Sequence, residues 1–462
     1  MSGIFSTEAQ TLIGYWWLPS NTSHHVPGTL AIKPGHYAHL DLLGTFSGAN
    51  GPTMGVSKHI DRIFGIVQGN LITLENCQLN FGGLSSPGFF KSSVIADGVF
   101  LGGHVAEDCF SEVTFEMSGL KEWAPICGFD VNEADIKNRR AHLAYKEPPP
   151  IKFALDGKSR LELRSSTRGF PVFPGIRTEL NICLIPYFAI SFNDPLPLSE
   201  IQTYIHRIWQ FLQFCTNQNI KICNVKPKAV TVDKTSGESV EIRNLTYVPS
   251  GGSSLDETYD ATKALMPFQY IYQDRTLFKR WFSLTEKMES AFEIHFASER
   301  KMNGYSEEEF ISRVSTLEIA HRRTNSISPQ EKKGHDIRLN EIYDQLASSP
   351  HLDWLKKKLA HSHEPTLEQR LLELATAVGP HIPNQDIYSP AFLKKVAKTR
   401  NYLTHFSKGD QKKQLPLSDI PEASMKLRAL FLVYILICLG LNKELIGELI
   451  SRSRTLECEL NG

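Results

Sequence analysis

Apolar residues alternate with polar ones along the first ~195 positions, and after Pro197 they return every three to four positions. A period of two puts successive side chains on opposite faces of a strand, while a period near 3.6 makes a helical stripe. The change of period divides the chain into a strand-patterned half and a helical half, the plan of an α+β multidomain protein. "GTLAIKPGHYAHLDLLGTF" (28–46) alternates around Pro34-Gly35, "FGIVQGNLITLENC" (64–77) around Gly69-Asn70, and "IKFALDGKSRLELRSS" (151–166) around Asp156-Gly157. Each reads as a hairpin. Together they predict an antiparallel β-rich, sandwich-like domain, with a twisted sheet or partial barrel as alternatives. "GYWWLPS" (14–20) is expected to anchor the core through its aromatics, an exposed ligand platform being the other reading.

"SEIQTYIHRIWQFLQFCTNQN" (199–219) opens the helical pattern, with Ser199 as expected N-cap, and is read as a helix packed on the β domain. "PSGGSSLDET" (249–258) reads as a loop. From about residue 270 the pattern is helical almost throughout. One helix is expected over "LFKRWFSLTEKMESAFEIHFAS", one over 306–324 with a Ser306/Glu309 capping box, others within 338–360 and 366–378. A further helix is expected over 389–406 behind Ser389-Pro390, then an apolar one over about 422–439 ending at Gly440. The predicted domains are 1–270 and 271–462.

Lys+Arg and Asp+Glu each number 50, so no global field favours nucleic acid or a membrane, and any basic site must be local. The eight cysteines include no C-x-x-C pair and are read as reduced, mostly buried thiols of a cytoplasmic protein. "MSGIFSTEAQ" has neither a basic n-region nor an apolar core, so no signal peptide is expected. "ALFLVYILICLGL" (429–441) falls short of the roughly 20 residues a spanning helix needs, which predicts a buried helix and no membrane partner. P-loop and G-x-S-x-G signatures are absent, and "DVNEADIKN" (130–138) lacks the glycine and closing glutamate of an EF-hand. His24, His25, His36 and His39 cluster without matching cysteine or carboxylate spacing, so no metal is expected.

Local chemistry concentrates in "KKVAKTRNYLTHFSKG" (394–409). On a helical wheel Lys398, Asn401 and His405 lie within about 40° of Lys394, while Val396, Thr399, Leu403 and Phe406 lie opposite. Lys395, Arg400, Lys408, Lys412 and Lys413 extend the positive lip, opposed between 391 and 414 only by Asp410. Such a face suits phosphate, with Lys394, Lys395, Lys398 and Lys408 as RNA-binding candidates. Histidine titrates near neutrality and serves as general acid or base; arginine clamps phosphate oxygens; asparagine orients or donates. Arg400, Asn401 and His405 are therefore candidate catalytic residues for RNA cleavage, which needs no metal or cofactor because the 2′-hydroxyl is its own nucleophile. Arg400 lies about 100° from Asn401 on a regular helix. Either the helix loosens near Thr404, or Arg400 serves across a dimer seam.

"TRNYLTHF" resembles the R-N-x-x-x-H motif of HEPN ribonuclease domains. "FISRVSTLEIAHRR" (310–323) and "LRALFLVYILICLGL" (427–441) are similar to the HEPN domain of ApeA-type anti-phage proteins, and "GYWWLPS" with "VPGTLAIKPGHYAHLDLLGTF" resembles the amino-terminal domain of that family. The resemblance implies an all-α HEPN helical bundle that dimerises and acts as a metal-independent endoribonuclease in abortive infection. The substrate is RNA, tRNA among the candidates, and a phage-derived trigger, a protein by expectation, is sensed through the amino-terminal domain. Arg400, Asn401 and His405 carry over from the motif. Glu318 and His321 match the family's earlier helix and either support the motif or form a surface i,i+3 pair. A non-catalytic HEPN module that binds RNA or protein is the alternative; a carbohydrate- or peptide-binding β domain on a helical stalk is a third.

Overall fold

The computed structural model describes residues 9–33, 36–46, 57–85, 89–131, 143–169, 182–232, 239–242, 244–249, 259–300, 306–325, 329–360, 362–405 and 414–461. These form two compact units. The first takes Met1–Gln213, Ile220–Ala261 and Pro267–Lys279; the second takes Phe214–Asn219, Thr262–Met266 and Arg280–Gly462.

In the first unit, β1 (Gln10–Leu18), β2 (Asn21–Ile32), β3 (Ala38–Leu43), β4 (Ser57–Val67), β5 (Asn70–Ser85) and β6 (Phe89–Leu101) close into an antiparallel barrel. The order is β6–β3–β2–β1–β4–β5, with β5 returning to β6. Inward residues of every strand fill it, among them Trp16, Leu30, Leu40, Ile63, Leu74 and Val94. The indole of Trp16 donates to the Gly28 carbonyl at 3.3 Å. A Cβ at Gly65 would fall inside that ring, which is why the facing strand carries glycine there. Trp17 is also buried and stacks on His25 with centroids 4.4 Å apart, whereas Tyr15 is 55% exposed. "GYWW" is thus a core anchor with one outward tyrosine.

A second sheet continues from the barrel. It comprises β7 (Phe110–Met117), β10 (Ile151–Ala154), β11 (Ser159–Arg168), β12 (Cys183–Leu196), β13 (Ile222–Val232), β14 (Ser239–Ile242) and β15 (Thr246–Pro249). A small separate pair joins β8 (Phe129–Val131) to β9 (Leu143–Tyr145). Strand β6 connects barrel and sheet. Its residues Lys91–Ala96 pair with β3, its residues Gly98–Leu101 pair with β15, and its opposite edge pairs with β5.

All three expected hairpins form. The Pro34-Gly35 turn lies outside the described residues. The second turn is centred on Gln68-Gly69, one residue earlier than expected, because both take positive φ (49° and 81°) and Val67 pairs with Asn70. In the third, Asp156 accepts from the amides of Lys158 and Ser159 at 2.8 and 2.7 Å.

After the short α1 (Leu120–Trp123), helix α2 (Leu198–Thr216) begins one residue before Ser199. Its cap comes from elsewhere: the Leu198 amide donates to Asp108 at 3.0 Å. The loop expected over 249–258 lies almost wholly outside the described residues.

The helices that follow are α3 (Phe268–Gln273), α4 (Leu277–Arg300), α5 (Ser306–Thr324), α6 (Pro329–Gln345), α7 (Leu352–Leu359), α8 (Leu367–Val378), α9 (Pro390–His405), α10 (Ile420–Cys438), α11 (Lys443–Arg452) and α12 (Arg454–Asn461). Helix α4 kinks at Met288 (φ −126°, ψ 30°). Ser306 is already helical and bonds Glu307, while Glu309 serves Arg313, so the expected capping box gives way to an ion pair. The helix expected within 338–360 is α7, and the same range also takes in the end of α6, which starts at Pro329. Ser389 does cap α9, accepting from the Phe392 amide at 3.4 Å. Helix α10 is buried on all sides from Leu427 to Leu436, and no described helix is long and apolar enough to cross a membrane. Gly440 (φ 75°) ends it, and the Leu441 amide donates back to Leu436 at 3.2 Å. All eight cysteines are free, but only Cys77 and Cys215 are buried, fewer than expected.

One carboxyl in the barrel wall is out of balance. Glu75 faces Arg62 at 3.6 Å, and burial pushes its pKa up to about 6 despite that cation. A carboxyl whose pKa rises on folding stabilises the fold below about pH 4.5, and that stability is lost as pH climbs through 6. Glu75→Gln should match wild type near pH 4.5 and exceed it by about 2 kcal/mol at pH 7.5. Chemical denaturation of the β unit across that range checks this; a gap independent of pH would refute it.

Candidate functional site

The motif helix α9 buries Leu393, Val396, Ala397 and Thr399 against its neighbours. Thr399 is tied in twice, donating to the Lys395 carbonyl at 2.8 Å and accepting from the Leu415 amide at 2.8 Å. The opposite side carries Lys394 and Lys395, both exposed, and the half-buried Lys398 and Asn401. Helix geometry persists through Thr404, whose hydroxyl donates to the Arg400 carbonyl at 2.7 Å. His405 occupies the last described turn and is exposed; among the described residues its imidazole has no hydrogen-bond partner. Lys408 lies outside the described residues.

Side-chain reach, not a break in the helix, joins Arg400 to Asn401. Nη1 of Arg400 donates to Asn401 Oδ1 at 3.3 Å, and Nη2 donates to Glu318 Oε2 at 3.2 Å. Arg400 and Asn401 are thus brought together within one chain, and His405 is not bonded to either.

Glu318 on α5 serves two cations. Its other oxygen accepts from Nε and Nη2 of Arg322 at 3.3 and 3.1 Å. Arg322 continues to Glu364 at 2.8 Å, and Glu364 also accepts from Arg370 at 3.2 Å. Arg370 donates to His321 Nδ1 at 3.2 Å. A guanidinium can only donate, so Nδ1 is the acceptor and Nε2 carries the hydrogen that bonds Glu373 at 2.7 Å. His321 is only 1% exposed, so Glu318 and His321 are not a surface pair. They are separate links in one chain of charges across α5, α8 and α9.

Arg322, Glu364, Arg370 and Glu373 were not anticipated. Arg370 had a readable signal: it sits on the apolar stripe of α8, between Leu367 and Leu371 and in step with Leu374 and Val378. Burial, reinforced by the repulsion of nearby Arg322, lowers its pKa from the ordinary arginine value. Glu364 escapes periodicity because it lies in the turn before Thr366, whose capping box with Gln369 starts α8.

Two family models match the chain. One, described as ApeA N-terminal domain 1, matches residues 11–240; the other, Apea-like HEPN, matches residues 311–445. The chain belongs to the ApeA family. The first match takes in the barrel and most of the second sheet; the second runs from α5 into α11 and contains Glu318, Arg400 and His405. This pairing is the architecture of a HEPN-containing defence protein. No curated protein and no solved structure matches the chain.

Removing Arg370 would strand the buried acceptor His321 Nδ1 and take one of its two arginines from the partly exposed Glu364. Arg370→Met should therefore destabilise the helical unit by about 2 kcal/mol. Urea unfolding followed by helical ellipticity measures it, and a loss below about 0.5 kcal/mol would mean that the chain of charges is not structural.

Proposed function

We propose that this protein is a metal-independent HEPN endoribonuclease of bacterial anti-phage defence, acting in the cytoplasm by abortive infection. The reading is carried by one observation. Arg400 is bonded to Asn401 and oriented by Glu318, on a helix whose exposed end presents His405.

The chemistry follows from these groups. A base takes the proton of an RNA 2′-hydroxyl, and that oxygen attacks the adjacent phosphorus. The P–O5′ bond breaks, an acid protonates the departing 5′-oxygen, and the products are a 2′,3′-cyclic phosphate and a 5′-hydroxyl. His405 supplies the acid–base function. Arg400 neutralises charge gathering on the phosphoryl oxygens, with Asn401 supporting its guanidinium. Base and acid must act on opposite sides of the phosphorus, and a homodimer that faces two copies of α9 toward each other supplies both from the same residue. Lys394, Lys395, Lys398 and Lys408 attract the RNA backbone. Glu318 is a positioning residue for Arg400. The amino-terminal unit senses a phage component, a protein by preference, and restrains the nuclease until then.

The purified protein, with or without lysate of infected cells, should cut RNA in EDTA and leave 2′,3′-cyclic phosphate ends. His405→Ala should abolish cleavage with an unchanged circular dichroism melt, and Arg400→Ala should reduce it at least about 100-fold. Full-rate cleavage by His405→Ala would overturn the mechanism. RNA binding by wild type with no cleavage under either condition would leave a non-catalytic HEPN module.

A further inference from the structure

Helix α7 is built the wrong way round for a packed helix. Its sequence, LDWLKKKL, carries Leu352, Leu355 and Leu359 on one side, and these are its half-buried positions. The tryptophan is not with them. On the wheel Trp354 lies about 100° or more from each leucine and within about 60° of Lys357 and Lys358. The structure agrees: Trp354 is 60% exposed and both lysines are exposed. Among the described residues, neither lysine has an ion-pair partner. The third lysine, Lys356, lies over the ring of Tyr343 on α6 at 5.5 Å.

Leaving most of an indole in water forgoes roughly 2 kcal/mol of burial, so Trp354 gains little from folding at this position and is free to serve as a contact surface. A flat π surface flanked by cations is what single-stranded nucleic acid recognises: bases stack on the ring and phosphates meet the lysines. Chain connectivity leads from this platform toward the motif. Five residues after α7 ends, Glu364 accepts from Arg322, which shares Glu318 with Arg400. Those five residues span at most about 18 Å. His335 of α6 bonds Ser362 at 2.9 Å, which ties the hairpin down at that same end.

We propose that α7 is a stacking platform for single-stranded RNA, with a base on Trp354 and the flanking phosphates on Lys357 and Lys358, placing the strand for cleavage at α9. The proposal rests on the ribonuclease reading for its purpose, but not for its test.

The test uses full-length His405→Ala, which keeps RNA intact, and a fluorescein-labelled 12-nucleotide single-stranded RNA. Anisotropy is followed across a KCl series. Trp354→Ala should weaken binding on the order of tenfold while Trp354→Phe retains most of it. Lys357→Ala with Lys358→Ala should flatten the slope of log affinity against log salt by about 1.4, because each phosphate left without its lysine removes about 0.7. Unchanged affinity in Trp354→Ala together with an unchanged slope in the lysine variant would overturn the proposal. So would a change of sedimentation coefficient in Trp354→Ala with RNA binding intact, which would make the face a contact between copies of this chain. If these RNA-binding effects appear but wild type never cuts RNA, the nuclease reading fails and the platform stands.

Discussion

Glu318 gives one carboxylate oxygen to Arg322 and the other to Arg400, and the geometry of the motif helix depends on that division. Two guanidiniums side by side would repel. A carboxylate between them converts repulsion into a clamp and fixes the direction in which Arg400 points. The constraint then propagates, because guanidiniums only donate and carboxylates only accept. The arginines therefore gather their acceptors from several helices, and the series runs on through Glu364 and Arg370 to His321 and Glu373.

The helical unit uses the same device a second time. Arg313 donates to His295 Nδ1 at 3.3 Å and pairs with Glu299 at 2.7 Å, while Arg428 joins Glu299 at 2.9 Å and Glu459 at 2.8 Å. Burial drives His295 down to about 3, and the flanking arginines hold Glu299 well below the usual carboxylate range against its own burial. Apolar side chains alone would tolerate a helix rotated by one position. A buried guanidinium would not, since it would lose several acceptors at once. These two networks fix the rotation of α4, α5, α8 and α10 about their own axes, and so the face that α9 must pack against.

Local features were legible in the sequence wherever one segment determines them. Alternation located the strands of the three hairpins and, to within one residue, both described turns, and 3.6-residue stripes located most of the helices; β13, β14 and β15, which return to the sheet after Pro197, were not legible as strands. Closure of the barrel was not legible, because β1 meets β4 and β5 meets β6 through pairings that no single segment announces. The cap of α2 comes from Asp108, ninety positions away. The Arg400–Asn401–His405 set was visible as a spacing, but the wheel set Arg400 apart from Asn401 because it measures Cα directions, whereas a long side chain bends back to within 3.3 Å of its neighbour. The supporting residues Glu364 and Glu373 come from a turn and an exposed helix face, where periodicity carries no information.

Strand β6 has a further consequence. One of its edges is divided between β3 and β15, while the other runs along β5. An extra residue anywhere between Lys91 and Leu101 would reverse the inward and outward faces for the remainder of the strand, and do so in two sheets together. Hairpins elsewhere in the unit can lengthen or shorten at little cost. β6 is a ruler of fixed length: an insertion within it must be absorbed as a bulge, as β5 does between Phe81 and Leu84, or it shifts pairing in both sheets.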